Sequence, residues 1–266
     1  MDPLTRIADA LDRLAPPPPA PPPADLPAYV WVNGVLQPAT FRPLALDLLS
    51  GIDAQKAALL ANTRHLAQGF AAHDILLWGA RGSGKSALVK AAVGAVQAEG
   101  LPLALVEVAN NDPAALPPLF AQLARLDRPT LVFLDDLGFD DLSAARALRP
   151  VLDGGAGARP LHVRLAVTAN RRHLVARAHG SGDAMNARDV LDDELALADR
   201  FGLSLGFHPV DQDEWLAMVE GYARAHALPF DPADALRFAA ARGARSGRVA
   251  WHYTVEVAGR AGRSLA

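Results

Sequence analysis

Ile75-Leu76-Leu77-Trp78-Gly79-Ala80-Arg81-Gly82-Ser83-Gly84-Lys85-Ser86 decides how this chain is read. Residues 79–86 satisfy G-x-x-x-x-G-K-[ST] in full. An apolar run that predicts a buried strand precedes them, and Ala87-Leu88-Val89-Lys90-Ala91-Ala92-Val93 predicts a helix behind them. Strand, glycine-rich turn and helix, in that order, are what a phosphate-binding loop needs. Gly79, Gly82 and Gly84 let the backbone approach phosphate oxygens. The N–H groups of the loop, through Ser83 to Ala87, turn toward those oxygens, and the helix beginning near Lys85 adds its positive end. Lys85 reaches the β- and γ-phosphates, and the Ser86 hydroxyl ligates Mg²⁺. The stretch therefore predicts ATP and Mg²⁺ as ligands. A glycine-rich turn that binds nothing is the plain alternative.

Downstream, Leu131-Val132-Phe133-Leu134-Asp135-Asp136 reads as a buried strand ending in two carboxylates. Ligands of parallel sheets sit at the carboxyl ends of the strands. Asp135 is the candidate to hold Mg²⁺, directly or through water, and Asp136 the candidate to polarise an attacking water.

The same logic extends over most of the chain. Apolar runs at 75–78, 103–108, 131–134, 161–168 and 203–207 alternate with helical stretches. That alternation predicts an α/β fold, a mostly parallel sheet covered by helices. After Pro209 the pattern is purely helical, over 212–227, 232–242 and 246–260, which predicts a small helical lid domain. Before the sheet, residues 2–14 read as a short helix with Leu4, Ile7, Leu11 and Leu14 on one face. Pro16 to Pro19 and Pro21 to Pro23 follow as a stiff extended linker. Asn33-Gly34 between two apolar runs signals a hairpin. The expected division is 1–40 for helix, linker and hairpin, 41–209 for the α/β domain and 210–266 for the lid.

Composition removes several classes. Without cysteine there is no disulfide, thiol catalysis or Cys-based zinc site. No window supplies the roughly 20 apolar residues of a membrane span. The start, MDPLTRIADA, lacks the basic and apolar parts of a secretory signal, so a cytoplasmic protein without membrane contact is expected. The net charge is −3. A nucleic-acid partner therefore finds no support in the charge balance.

Three further segments extend the pattern. Leu165-Ala166-Val167-Thr168-Ala169-Asn170 resembles the sensor 1 strand of AAA+ ATPases, with polar Asn170 at its end. Ala198-Asp199-Arg200-Phe201-Gly202 resembles their arginine-finger segment, and Gly243-Ala244-Arg245-Ser246-Gly247-Arg248 the start of their sensor 2 helix. A closer resemblance is to a bacterial AAA+ family known as domain of unknown function 815. It rests on Gly51-Ile52-Asp53-Ala54-Gln55-Lys56, Asn62-Thr63, Leu76 to Gly82, Thr168-Ala169-Asn170-Arg171-Arg172-His173-Leu174, Asp199 to Leu203 and Gly206-Phe207-His208-Pro209. The resemblance spans roughly residues 41 to 260.

It implies a five-stranded P-loop ATPase domain with a helical lid, and no particular substrate. It implies that Asn170 orients the attacking water or a γ-phosphate oxygen. Arg200 would reach the γ-phosphate of a neighbouring subunit, and Arg248 would touch phosphate from the lid, with Arg245 as its competitor. The implied partners are ATP and ADP, further copies of the chain in a homo-oligomer, and an unidentified protein. Most AAA+ proteins carry Glu where this chain has Asp136, although the closer family tends to use Asp. Aspartate is shorter by one carbon–carbon bond, about 1.5 Å. The water then sits nearer, hydrolysis is slow, or Asp140 or Asp141 contributes.

Each residue has a plainer reading beside this one. Asn170 can be a strand-end cap, Arg200 an ion-pair partner of Asp199 or of Asp192-Asp193-Glu194, and Arg248 part of a solvated helix face. Ile52 suits an adenine pocket or the core equally. The leading function is an oligomeric ATPase acting on a macromolecule. The alternatives are a slowly hydrolysing nucleotide-gated switch or adaptor, a DNA-replication initiator or helicase-loader type of ATPase, and a small-molecule kinase. The lid and the sensor-like segments argue against the last.

Overall fold

The computed structural model describes residues 2–3, 25–137, 142–154, 159–170 and 198–265. Residues 4–14 of the helix expected over 2–14, the polyproline tract, Asp140, Asp141 and the Arg171-Arg172-His173 run lie outside the described residues.

Strands β1 (Ala28–Val32), β2 (Val35–Pro38), β3 (Ile75–Gly79), β4 (Ala104–Val108), β5 (Thr130–Leu134), β6 (Val163–Ala169) and β7 (Leu203–Phe207) form one sheet in the order β2-β1-β4-β5-β6-β3-β7. The β1–β2 hairpin is antiparallel and every other pairing is parallel. Helices α1 (Asp53–Ala67), α2 (Lys85–Ala98), α3 (Leu116–Leu123) and α4 (Leu142–Leu152) cover it.

Side chains of a strand alternate between faces, so each central strand feeds two cores. Ile75, Leu77, Leu131 and Phe133 pack with Leu59 of α1 and with Leu88, Val89 and Val93 of α2. Leu76, Val132, Leu134 and Val167 pack on the other face, with Leu119 and Phe120 of α3 and Leu148 of α4. All five residues of β5 are buried. This is why these strands read as unbroken apolar runs.

The hairpin, expected to precede the sheet, forms one edge of it. Asn33 and Gly34 take φ of 50° and 79°, as its tight turn requires. Yet β1 has a second neighbour besides β2. It pairs in parallel with β4, Tyr29 opposite Val106, and buries Tyr29 and Trp31 in the core. The sheet therefore has seven strands where the resemblance implied five. The apolar side chains of β1 and the open edge of β4 supply the physical reason, since an unpaired strand edge is a liability. A smaller correction concerns β6, expected from Leu161. Val163 N–H donates to the Pro160 carbonyl at 3.0 Å, and this turn leaves Leu161 91% exposed.

The lid consists of α5 (Gln212–Ala225), α6 (Pro232–Arg242) and α7 (Gly247–Arg260). Asp211 and Glu214 form a capping box at the start of α5, and Asp231 and Ser246 cap α6 and α7. The lid core is built on Trp215, Val219, Tyr253 and Val257. Leu44 packs against this core and also against the core under α1 and α2, so the segment before α1 joins the two units.

Several residues that carry the family resemblance hold the frame rather than the site. The Asn62 amide donates to the His73 carbonyl at 3.0 Å and accepts from the His73 N–H at 2.9 Å. Gln55 Nε2 donates to the Gly206 carbonyl at 2.9 Å, tying α1 to the end of β7.

Gly79 ends β3 at φ 129°, and a Cβ there would lie 2.0 Å from the Phe207 carbonyl oxygen. Backbone cannot swing aside as a side chain can. Gly79→Ala is expected to cost about 3 kcal/mol or more. A urea melt followed by circular dichroism measures it, and an unchanged midpoint would contradict this packing.

Candidate functional site

The loop between β3 and α2 is shaped by its glycines. Gly82 and Gly84 have φ of 75° and 95°, where a side chain is strained. Ser83 Oγ donates to the Ala80 carbonyl at 2.7 Å and tightens the turn. Lys85 opens α2 and is buried. Its ammonium donates to the carbonyls of Gly79 at 3.0 Å and Ala80 at 2.8 Å, and to Asn170 Oδ1 at 3.0 Å. Burial pushes the Lys85 pKa below its ordinary value, Asp136 and Asp135 oppose that shift, and Arg81 adds to it.

The carboxylates converge on the same point. Ser86 Oγ donates to Asp135 Oδ1 at 2.5 Å, and Thr168 Oγ1 donates to the same oxygen at 2.7 Å. Asp136 sits at φ 57°, and its N–H donates to Thr168 Oγ1 at 2.7 Å. Asn170 Nδ2 donates to Asp136 Oδ1. Asn170 thus bridges Lys85 and Asp136, a link that goes beyond the strand-end role weighed for it. The Asp135 N–H is fixed from a second strand end by Asn111 Oδ1 at 3.0 Å.

These groups lie at a cavity of about 340 Å³ between the sheet and the lid. Gly82, Ser83, Gly84, Lys85, Ser86 and Ala87 line it, with Asp135, Asp136 and Asn170. Apolar side chains line it as well: Leu48, Ile52, Met218, Tyr222 and Trp251. Tyr222 meets the Trp251 ring edge-on, 5.5 Å between centroids. Charged and polar groups together with aromatic rings in one cavity suit a nucleotide. Ile52 is 8% exposed, packs in the core under α1 and α2 and also lines the cavity.

The remaining predicted residues fall apart into two cases. Arg248, in the first turn of α7, lines the cavity, whereas Arg245 lines only a neighbouring groove. Gly247 N–H donates to the Gly82 carbonyl at 3.0 Å, so the start of α7 rests on the loop. Arg200 does not line the cavity. Its Nε donates to Asp153 Oδ1 at 2.8 Å, while Asp192, Asp193 and Glu194, weighed as its partners from sequence, lie outside the described residues.

Thr168, Asn111, Arg81 and Trp251 were not singled out for the site from sequence. Thr168 faces the carboxylates because β5 and β6 pair with Leu134 opposite Val167. That register is the signal, and a single sequence does not display it. Arg81 stands 3.6 Å from Asp136 Oδ2, both side chains being exposed.

Among the described residues no group of three or more His, Cys, Asp or Glu side chains could enclose a metal. Mg²⁺ at a nucleotide needs fewer protein ligands, because phosphates and waters complete its shell. Ser86 Oγ and Asp135 Oδ1, brought together at the loop, fit that smaller role.

Architecture and loop together define an AAA+ P-loop ATPase fold. Over 80% of this chain it is similar to the Holliday junction branch migration motor RuvB of Thermotoga maritima, with TM-score 0.52 and 21% identity. It is also similar to Aeropyrum pernix ORC1 in complex with DNA over 83% of this chain, with TM-score 0.56 and 18% identity. The match spans 63% of the RuvB chain and 64% of the ORC1 chain. Aeropyrum pernix ORC2, in ADPNP–ADP complexes, matches at TM-score 0.51 and 17% identity, covering 82% of this chain and 70% of its own. No curated protein matches. Residues 24–261 match the family described as "Protein of unknown function (DUF815)", and the chain belongs to that family. Among the described residues no helix is long and apolar enough to cross a membrane.

Proposed function

We propose that this protein binds ATP with Mg²⁺ in the cavity beneath the lid and hydrolyses it, as a homo-oligomer, to act on a macromolecular partner. One observation carries the reading: Lys85, Ser86, Asp135, Asp136 and Asn170, joined through Thr168, form a single hydrogen-bonded cluster that lines the cavity. Gly79, Gly82, Ser83, Gly84 and Ala87 shape the loop around the phosphates. Ser86 and Asp135 would hold Mg²⁺, which would supply positive charge to offset that of the phosphates. Lys85 exchanges its loop carbonyls for phosphate oxygens. Asp136, positioned by Asn170, takes the proton from the attacking water. Arg248 reaches phosphate from the lid, and Arg200 serves a neighbouring site. The ATPase unit is proposed to span 25–209 and the lid 210–266. A cytoplasmic setting, where ATP is available, is part of this proposal.

A second reading, an ATPase that works on DNA, is favoured by the likeness to a branch-migration motor and to ORC1 in complex with DNA. The net charge of −3 weighs against it. Phosphate release stimulated by duplex DNA would favour it. A third, a nucleotide-gated switch, is favoured by the short Asp136 and predicts tight ATP binding with negligible phosphate release.

Titration calorimetry with Lys85→Ala tests nucleotide binding directly. The variant is expected to bind ATP about a hundredfold more weakly, since charge-assisted bonds to two phosphates are lost. Lys85 is 7% exposed and bonds the loop, so circular dichroism must accompany the titration. A folded variant with unaltered ATP affinity would overturn the phosphate-loop reading.

A further inference from the structure

We propose that a second groove, on the far side of the phosphate loop, binds an acidic, apolar-faced segment of a protein partner. It measures about 850 Å³ and lies between the loop, the end of β7 and the lid helices α6 and α7. Arg81, Arg245, Arg248 and His208 line it, and among the described residues no carboxylate does. Arg245 and Arg248 are exposed, and neither forms an ion pair among the described residues. Val210, Leu236 and Ala240 give the groove an apolar wall. In a chain whose net charge is −3, such a concentration of guanidinium groups is local and one-sided.

The wall decides which polyanion fits. A nucleic acid strand needs a long basic track and aromatic faces for its bases. This groove has three guanidinium groups and no Trp, Tyr or Phe among its lining residues, and the His208 ring lies edge-on to Trp78. A peptide that alternates carboxylates with leucine-like side chains satisfies both surfaces. Its carboxylates reach Arg81, Arg245 and Arg248 in bidentate fashion, and its apolar side chains lie on Leu236 and Val210.

The groove shares a wall with the nucleotide cavity. Arg81, Gly82, Ser83 and Arg248 line both. A guanidinium that turns to phosphate is lost to the peptide. Peptide affinity should therefore fall when ATP binds, and by linkage ATP affinity should fall when peptide binds. Only this coupling rests on the nucleotide reading.

The test is fluorescence polarisation of a labelled decapeptide alternating Leu and Glu, titrated with the whole protein. Saturable binding that weakens with salt is expected, and loss when every Glu is replaced by Gln. Arg245→Glu should weaken it by about tenfold or more, as should Ala240→Glu, which sets a carboxylate on the apolar wall. Both positions are exposed and lie outside the nucleotide cavity, so the affinity for ATP should stay unchanged in each. Equal binding of the Glu and Gln peptides, or indifference to both variants, would overturn the proposal. So would a single-stranded oligonucleotide that binds more tightly than the peptide and is lost in Arg245→Glu. If the protein binds the peptide but no ATP, the groove stands and the nucleotide reading fails.

Discussion

Asp136→Asn should lower the rate of ATP hydrolysis by about a thousandfold, within the range that removal of a general base produces. ATP and Mg²⁺ binding should persist. The variant is suited to its position, because Asp136 sits at φ 57°, a conformation asparagine tolerates well. The amide oxygen can still accept from Asn170 Nδ2, and the backbone N–H still donates to Thr168. What disappears is the charge that draws the proton from water. The ion pair with Arg81 disappears too, but at 3.6 Å and between exposed side chains it contributes little. Single-turnover hydrolysis beside calorimetry separates the two effects. Unchanged turnover would transfer the role to another carboxylate, with Asp140 the first to substitute. Negligible turnover in the parent would make the protein a switch.

Why was so much of this site legible in the sequence, and some of it not? The phosphate loop is local. Its strand, turn, lysine and helix are consecutive, so the pattern at residues 79–86 states its own geometry. Asp135 and Asp136 were legible because a buried parallel strand runs as an apolar block, and its end is the ligand side. Thr168 and Asn111 were not, since they reach the carboxylates only through the pairing of separate strands and loops. The hairpin was recognised as a hairpin from Asn33-Gly34, but its place beside β4 is a long-range choice that local patterning does not encode. Leu161 shows the limit of apolar runs. Its turn is set by one backbone bond to Pro160, and the hydrophobic pattern carries no trace of it. The cavity joins Trp251 of the lid to Ile52 at the start of α1, across about 200 residues, a closeness that only the packing of the lid creates.

Arg200→Ala should bind ATP almost as the parent does and hydrolyse it about a thousandfold more slowly, the scale on which a missing arginine finger acts. Its own Lys85, Ser86 and Asp135 are untouched, and its side chain does not line its own cavity. The competing view is that Arg200 is only the ion-pair partner of Asp153. The pair with Asp153 is a weak one. The Arg200 and Asp153 side chains are 32% and 51% exposed, and pairs so open to water are worth about 1 kcal/mol or less. Phe201, by contrast, is buried in the core, and a Cβ on Gly202 would lie 2.2 Å from His73 Nδ1. The backbone that follows Arg200 is thus fixed in the core. Asp153→Ala separates the two views. It breaks the same pair and spares the finger, so it should hydrolyse ATP at close to the parent rate. A structural role predicts that both variants lose activity together. Mixing Arg200→Ala with Lys85→Ala is the second arm. One retains an intact phosphate loop and the other an intact finger, so mixed oligomers should recover activity that neither variant shows alone. In the parent, turnover per subunit should rise with protein concentration as assembly completes each site. Turnover independent of concentration, with Arg200→Ala as active as the parent, would leave Arg200 a structural residue and remove the case for catalysis between subunits.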